Sequence, residues 1–444
     1  MNYTADYIPI IGLEVHIELE TESKMFCSCT AFHFGKKPNT QVCPVCLGLP
    51  GALPVANKKA VEMTVLTGLA LNCKIPSLSK FDRKNYFYPD LPKGYQISQY
   101  DTPLACNGKW QMANGKWFRV RRVHLEEDTG KLIHEAGSTL IDFNRSGVPL
   151  LEIVTEPDIS SVLEAKEFLE KLQQIVRYLG ISQADMEKGQ MRCEPTVNLE
   201  IKKEGKTFYT PLVEIKNINS FRFVQKAIGF EIKRQLEEFQ KTGIEKKPGN
   251  KTTRGWSETL GETVPQRVKE EAADYRYFPE PDIPPIHWTQ SQISNLKSQI
   301  GELPDEKIAR FEKQYGLSRN TCLILIETKE KADYFEEACR VAHGTSNQEI
   351  ANWIVNKRVD ISRTKPKDMV NQIKALAKRP MVKEEELEEI IKKVLEKNPK
   401  AVVDYKKGKV SALEFLVGKV MEESQRKADP DSCRKNLLET LSAS

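Results

Sequence analysis

Apolar and polar residues alternate strictly near the start of the chain. Ile11, Leu13, Val15, Ile17 and Leu19 fall on one side, and Glu14, His16, Glu18 and Glu20 on the other. A period of two predicts a half-buried strand with a wet, acidic face. The alternation recurs from Arg119 to Asp128, where Val123 and Leu125 oppose Arg122, His124, Glu126 and Asp128. Leu140 to Arg145 reads as another short extended run, with Asp142 and Asn144 sharing a face. After a turn at Gly147-Val148-Pro149, the segment Leu150 to Glu156 places Glu152 and Glu156 four apart, on one face if it is extended. The period then lengthens to 3.6. Val162, Ala165, Phe168, Leu169, Leu172, Ile175, Val176 and Leu179 predict a helix capped by Ser160 or Ser161 and stopped at Gly180. A second helix is predicted from about Phe221 to Lys241, between Ser220 and Gly243.

Pro279-Glu280-Pro281-Asp282-Ile283-Pro284-Pro285 can neither continue a helix nor pair in a central strand, and it marks the first expected domain boundary. From Gln290 the pattern is helical. Ser362 to Lys367 is a polar linker containing Pro366, and Asp429-Pro430 suits the N-cap and first turn of a late helix. The expected class is therefore α+β. A mixed α/β domain spans 1–290, an all-α domain 291–365 and a helical tail 366–444.

Composition narrows the setting. The chain has 444 residues, 39% of them apolar, and no run approaches the ~20 apolar residues of a membrane helix. The start, Met1 to Asp6, lacks the basic and apolar stretches of a secretory signal. Six of the ten cysteines are scattered singly, as in reduced cytosolic proteins, so a cytoplasmic location is expected. The net charge of +5 is uneven. From Arg363 onward there are 19 Lys and Arg against 14 Asp and Glu, while the rest of the chain balances. A basic end suits a polyanion such as nucleic acid; a solvated helical surface explains it equally well.

Four cysteines carry the most local signal. Cys27-Ser28-Cys29 and Cys43-Pro44-Val45-Cys46 form two close pairs, the spacing of a structural Zn²⁺ site with four thiolates and no open position. The acids Glu14, Glu126, Asp128, Asp142, Glu152 and Glu156 would line one surface if their strands share a sheet. Such a surface needs cations, and Mg²⁺ is the natural one because it takes hard oxygen ligands and bridges to phosphates. Each acid taken singly also suits an ordinary wet strand. His16 and His124 each lie two residues from a candidate acid, as structural histidines or as groups that orient a carboxylate. The stretch Phe81 to Tyr95 interleaves basic and aromatic residues, suited either to stacking a base or to packing on the surface. Phosphate-loop, dinucleotide-turn and nucleophile-elbow motifs are absent, so any ATP is held by another fold.

Several longer words together resemble one family. They are Ile11 to His16, Phe81 to Asp90, His124 to Lys131, Asp142 to Leu150, Glu152 to Asp158 and Asp274 to Asp282. In this order they resemble the GatB family, one of the components of the tRNA-dependent amidotransferases, along almost the whole chain. The resemblance implies a cradle-shaped first domain related to glutamine synthetase and a YqeY-like tail that touches tRNA. It implies ATP-dependent phosphorylation of Glu on tRNA(Gln), or Asp on tRNA(Asn), followed by amidation with ammonia from glutamine. It also implies an amidase partner (GatA) and a small third subunit (GatC). By motif position it places Glu14, His16, Glu126 and Glu152 around Mg²⁺ (or Mn²⁺) and ATP. Glu127, Asp128, Asp142, Asn144 and Arg145 are further candidates for the same pocket. Some family members lack the cysteine quartet, so zinc there is a support rather than a reactant. Glu194 stands where the family usually has Asp. Two other classes stay open on the residues alone: a zinc-stapled RNA-binding protein without catalysis, and an ATP-dependent ligase acting on a small acid.

Overall fold

The computed structural model describes residues 6–111, 115–266, 275–377, 383–424 and 427–443. Met1 to Ala5 and Asp274, the first residue of the Asp274–Asp282 word, lie outside the described residues.

The first alternating run forms β1 (Asp6–Glu18), with Ile11, Leu13, Val15 and Ile17 all buried. Beyond the cysteine loop, Asn57 caps α1 (Lys58–Ala70) by accepting from the Ala60 N–H. Short strands β2 (Leu78–Ser79), β3 (Asp82–Asn85) and β4 (Tyr95–Ser98) follow. Next come β5 (Ala105–Gln111), β6 (Trp117–Glu127), β7 (Lys131–Glu135), β8 (Ser138–Asp142) and β9 (Pro149–Thr155). Ser161 caps α2 (Val162–Tyr178) through the Glu164 N–H. After β10 (Met191–Lys203), β11 (Lys206–Tyr209) and β12 (Val213–Lys216), Ser220 caps α3 (Phe221–Thr242). That helix ends at Gly243, whose φ of 65° is the left-handed stop that glycine tolerates best. Both helices keep the ends expected from their cap residues. Strands β13 (Thr252–Ser257), β14 (Glu262–Pro265), β15 (Phe278–Pro279) and β16 (Ile286–His287) complete the mixed region.

The main sheet has the order β14-β13-β12-β10-β1-β9-β6-β5, with β11 paired to β10. All its pairs are antiparallel except β12–β13. Odd-numbered residues of β1 enter a core shared with Phe168, Leu169 and Leu172 of α2 and Val224 and Ile228 of α3. The even-numbered residues are therefore forced to the opposite face. Register then builds a row of side chains. His16 is opposite Glu152 on β9 and opposite Arg192 on β10, and Glu152 is opposite His124 on β6.

Two expected acids do not join this sheet. β8 pairs only with β7, in a separate ribbon, and it ends at Asp142. Asn144 lies in the following turn, where its N–H donates to the Asp142 carboxylate at 2.9 Å. The two therefore do not share an extended face. Glu156 lies just past β9, bound by Arg121 at 2.7 Å, because a register irregularity between Val120 and Arg122 re-aims β6 there.

The proline-rich run is built into the first region. Phe278–Pro279 pairs as an edge strand with β3, Glu280 is 4% exposed and Ile283 enters the core. Edge pairing avoids the ladder hydrogen bonds that proline cannot donate.

The helices that follow are α4 (Gln290–Gln299), α5 (Pro304–Tyr315), α6 (Arg319–Leu325), α7 (Lys329–Val341), α8 (Asn347–Val355) and α9 (Pro366–Ala377). The last four are α10 (Glu384–Lys397), α11 (Pro399–Lys406), α12 (Val410–Glu423) and α13 (Pro430–Ala443). The chain divides into two compact units. One comprises Met1–Phe311 with Ile326–Lys329, the other Glu312–Leu325 with Glu330–Ser444. Leu296 of α4 packs in the core of the first. Within the second, Leu387, Ile391 and Val394 of α10 share a core with Leu416 and Val420 of α12 and Leu437 of α13. Asp429 caps α13 by accepting from the Ser432 N–H at 2.8 Å. Among the described residues no helix is long and apolar enough to cross a membrane.

Candidate active site

Three neighbouring strands converge on one carboxylate. Glu152 Oε2 is 3.2 Å from His16 Nε2 and 3.3 Å from His124 Nε2, and Arg122 Nη2 stands 3.8 Å from its other oxygen. His16 Nε2 also lies 3.6 Å from Glu126 and 4.0 Å from Glu14. Glu126 and Glu152 are each 3% exposed, so this is a buried charge cluster rather than a wet strand face. Ser98 on β4 orients Glu126 by donating to Oε2 at 3.0 Å. Ligand atoms of Glu14, His16 and Glu152 lie within 4.8 Å of one another, as do those of His124, Glu126 and Glu152.

Electrostatics shows what such a cluster demands. Burial opposes a charge on His16, but Glu152, Glu126 and Glu14 outweigh it and raise its pKa to about 9. Burial likewise opposes the Glu152 carboxylate, yet His124 and His16 hold it well below the ordinary range. The carboxylates thus turn a histidine into their counter-cation. A site that protonates its own imidazole has a donor set suited to a divalent cation, with three oxygens and one nitrogen within reach.

Lys84, one of the basic residues in the aromatic stretch Phe81 to Tyr95, faces the same acids. Lys84 of β3 is half-buried, and its Nζ sits 5.1 Å from the Tyr275 ring and 5.9 Å from the Tyr86 ring. Burial would lower its pKa, but Glu126, Tyr277, Tyr86 and Glu152 together hold it well above the usual lysine value. The basic and aromatic interleaving marked its stretch but not its place beside the acids, which comes from the pairing of β3 with β4.

The remaining candidates separate. Glu127 faces away from Glu126, bound by Lys93 at 2.6 Å and by the Ile97 N–H at 3.0 Å. Asp128 sits beside the row rather than in it. Burial pushes its carboxyl up, but Arg192, 2.6 Å away, and Arg145, 3.6 Å away, hold it at about 2. Arg145 donates to the Thr129 and Gly130 carbonyls. Asp142 and Asn144 grip the cysteine loop: Asp142 accepts from the Asn39 N–H at 3.0 Å, and Asn144 accepts from Gln41 N–H and donates to Lys37 O, both at 2.8 Å. Glu194, at the departure from the family pattern, lies opposite Glu14 and is bound by Lys216 at 2.8 Å.

The cysteines do come together. All four sulfurs lie within 4.8 Å of one another, and Cys43 and Cys46 are 3.9 Å apart. Zinc–sulfur bonds of about 2.3 Å in a tetrahedron require sulfurs about 3.8 Å apart. The Cys46 thiol is drawn well below the usual cysteine value by its hydrogen bond from Cys27, the Cys43 N–H at 3.2 Å and the Lys24 ammonium at 3.7 Å. Lys24 is fully buried and also donates to Phe143 O, so it ties the cysteine loop to the 142–147 turn.

A scan against family models matches residues 9–294 to the GatB/GatE catalytic domain and residues 338–441 to the GatB domain that bears the YqeY name. The chain belongs to the GatB family. It is 44% identical to the B component of an aspartyl/glutamyl-tRNA(Asn/Gln) amidotransferase from Thermotoga maritima, over 98% of this chain and 99% of the relative. It is 44% identical to the protein of the same name in Persephonella marina, over 98% and 100%, and 42% identical to that of Roseiflexus, over 98% of each. The GatB catalytic match contains the histidine–carboxylate row and the cysteine quartet. The second GatB match covers most of the basic tail.

Proposed function

We propose that this chain is the component of a tRNA-dependent amidotransferase that activates and amidates a misattached amino acid. The side-chain carboxylate of Glu on tRNA(Gln), or of Asp on tRNA(Asn), attacks the γ-phosphorus of ATP and expels ADP. Ammonia then adds to the acyl carbon, and phosphate leaves to give the amide. The observation that carries this reading is the row His16–Glu152–His124 flanked by Glu14 and Glu126, a buried anionic pocket in a catalytic-domain match.

Glu14, His16, Glu126 and Glu152 are the residues that would hold Mg²⁺ or Mn²⁺, which supplies charge neutralisation for the phosphates. His16 would give up its extra proton to ligate such a cation through Nε2. His124 and His16 keep Glu152 ionised, Arg122 stands beside its other oxygen, and Ser98 orients Glu126 by donating to it. Lys84 stands opposite, where it can meet the anionic groups of either substrate. Asp128, Asp142, Asn144 and Arg145 support the pocket from its rim, the middle two through the cysteine loop. Ammonia comes from glutamine hydrolysed in an amidase partner (GatA), with a small third protein (GatC) completing a heterotrimer in the cytoplasm. Catalysis is assigned to 1–290 and tRNA binding to the tail at 366–444. The decisive experiment purifies the chain with its native partners and supplies mischarged Glu-tRNA. Gln-tRNA should form only when ATP and glutamine are both present.

Two further outcomes are expected. The cysteine quartet should hold about one Zn²⁺ per chain by elemental analysis, since four thiolates fill its coordination. Cys43→Ser should lower that content and loosen the loop by proteolysis, with little change in kcat; a metal-free preparation with an intact loop would count against it. Truncation near Thr364 should weaken tRNA affinity and flatten its dependence on salt, because each lost phosphate contact removes about one unit from the logarithmic salt slope. An unchanged slope would show that the tail's charge serves solubility alone.

A further inference from the structure

Next to the acid cluster lies a group of tyrosines that no step above uses. Tyr100 and Tyr277 are stacked, with ring centroids 4.4 Å apart and planes 14° from parallel. Tyr275 meets Tyr277 edge-on at 6.2 Å and Tyr86 at 5.7 Å. The group is anchored to the site on two sides. Tyr100 lies two residues beyond Ser98, the donor to Glu126, and Lys84 sits over the Tyr275 and Tyr86 rings.

The strap that carries Tyr275 and Tyr277 is held rigidly. Its backbone pairs Phe278 with Arg83, and Asn85 donates to the Arg276 carbonyl at 2.8 Å. Arg83 makes a two-point bond to the buried Glu280, at 2.6 and 2.9 Å. On β3's other end the Tyr100 N–H donates to Asp82 at 3.0 Å. Two parallel rings fixed by separate segments form a ready stacking surface, and Tyr100 is still 45% exposed.

We infer that the Tyr100–Tyr277 stack is the platform on which the terminal adenine of the tRNA lies while its amino acid reacts. This rests on the function proposed above. The amino acid is esterified to the terminal ribose, so its reactive carboxyl carbon is only about five bonds, roughly 6 Å, from the sugar oxygen. The base is about four bonds beyond that oxygen, so it lies near the acid cluster whatever holds the rest of the tRNA. Counted to the base, the tether is about nine bonds for the tRNA adenine and about ten from the γ-phosphorus for that of ATP, so the two adenines are told apart by experiment. The stack is next to the acids, within reach of such a tether. Stacking on an aromatic ring is how single-stranded ends are commonly held. Half-buried Lys84, over the Tyr275 and Tyr86 rings, places positive charge beside the group for the terminal phosphates.

The test uses the complex purified with its partner proteins and a tRNA whose terminal adenine is replaced by fluorescent 2-aminopurine. Binding should quench the fluorescence. Tyr100→Ala should abolish the quench and raise KM for mischarged tRNA about tenfold, with a much smaller change in kcat. Tyr100→Phe keeps the ring and should restore both. 2-Aminopurine riboside triphosphate, offered as the ATP analogue, should show no Tyr100-dependent quench. A quench that survives Tyr100→Ala, or one seen with the triphosphate instead, overturns the inference. A wild-type complex that binds tRNA without amidating it strikes the proposed function rather than the platform.

Discussion

Glu126→Gln should eliminate ATP-dependent phosphorylation of Glu-tRNA while leaving the protein folded and able to bind tRNA. The substitution keeps the shape and retains an oxygen to accept from Ser98. It removes one negative charge from a cluster of three carboxylates around His16. Like charges in a buried site repel, so thermal stability without metal should hold or rise. Activity should fall by at least about a hundredfold, the usual cost of losing one preorganised electrostatic group. Acyl-phosphate formation, followed by ADP release, and filter binding of tRNA measure the two halves separately. Normal turnover would remove Glu126 from the site, and lost folding would make it structural.

Arg83→Met should be the most damaging single change outside the acid cluster. Arg83 is bonded to Glu280, whose side chain is fully buried, and its guanidinium stacks on Tyr95 at 4.4 Å. Removing one partner leaves a buried carboxylate uncompensated, which costs about 3–5 kcal/mol. The first unfolding transition in urea should move accordingly. The Glu280→Gln, Arg83→Met double variant should recover much of the loss, because neither buried charge remains. If the single variant unfolds like the wild type, the Asp282 N–H, which donates to Glu280 at 3.0 Å, suffices for it and the strap does not depend on the arginine.

Much of the fold was legible because its strands and helices are strongly periodic. β1, β6, β9, α2 and α3 could be read from alternation, helical spacing and capping serines. The extended reading of Leu140 to Arg145 holds only as far as Asp142, where β8 ends, because local alternation cannot say which ribbon a short strand joins, or where a turn cuts it. Asp142 and Asn144 thus lie at the cysteine loop rather than on the acid sheet. Glu156 was likewise drawn off by Arg121 at a bulge, which leaves no mark in the period.

The acids and histidines on their strand faces, the four cysteines in two pairs and the basic tail can all be read from the residues alone. They follow from periodicity and spacing, which are properties of a few neighbouring positions. That His16, Glu152 and His124 stand directly across three strands is a product of folding, since register depends on how non-local strands pair. Folding alone also brought Lys84 to the acids and set Tyr100 of one segment against Tyr277 of another, 177 residues along the chain. Contacts of that range are made by packing and hydrogen bonding between elements, and no local pattern records them.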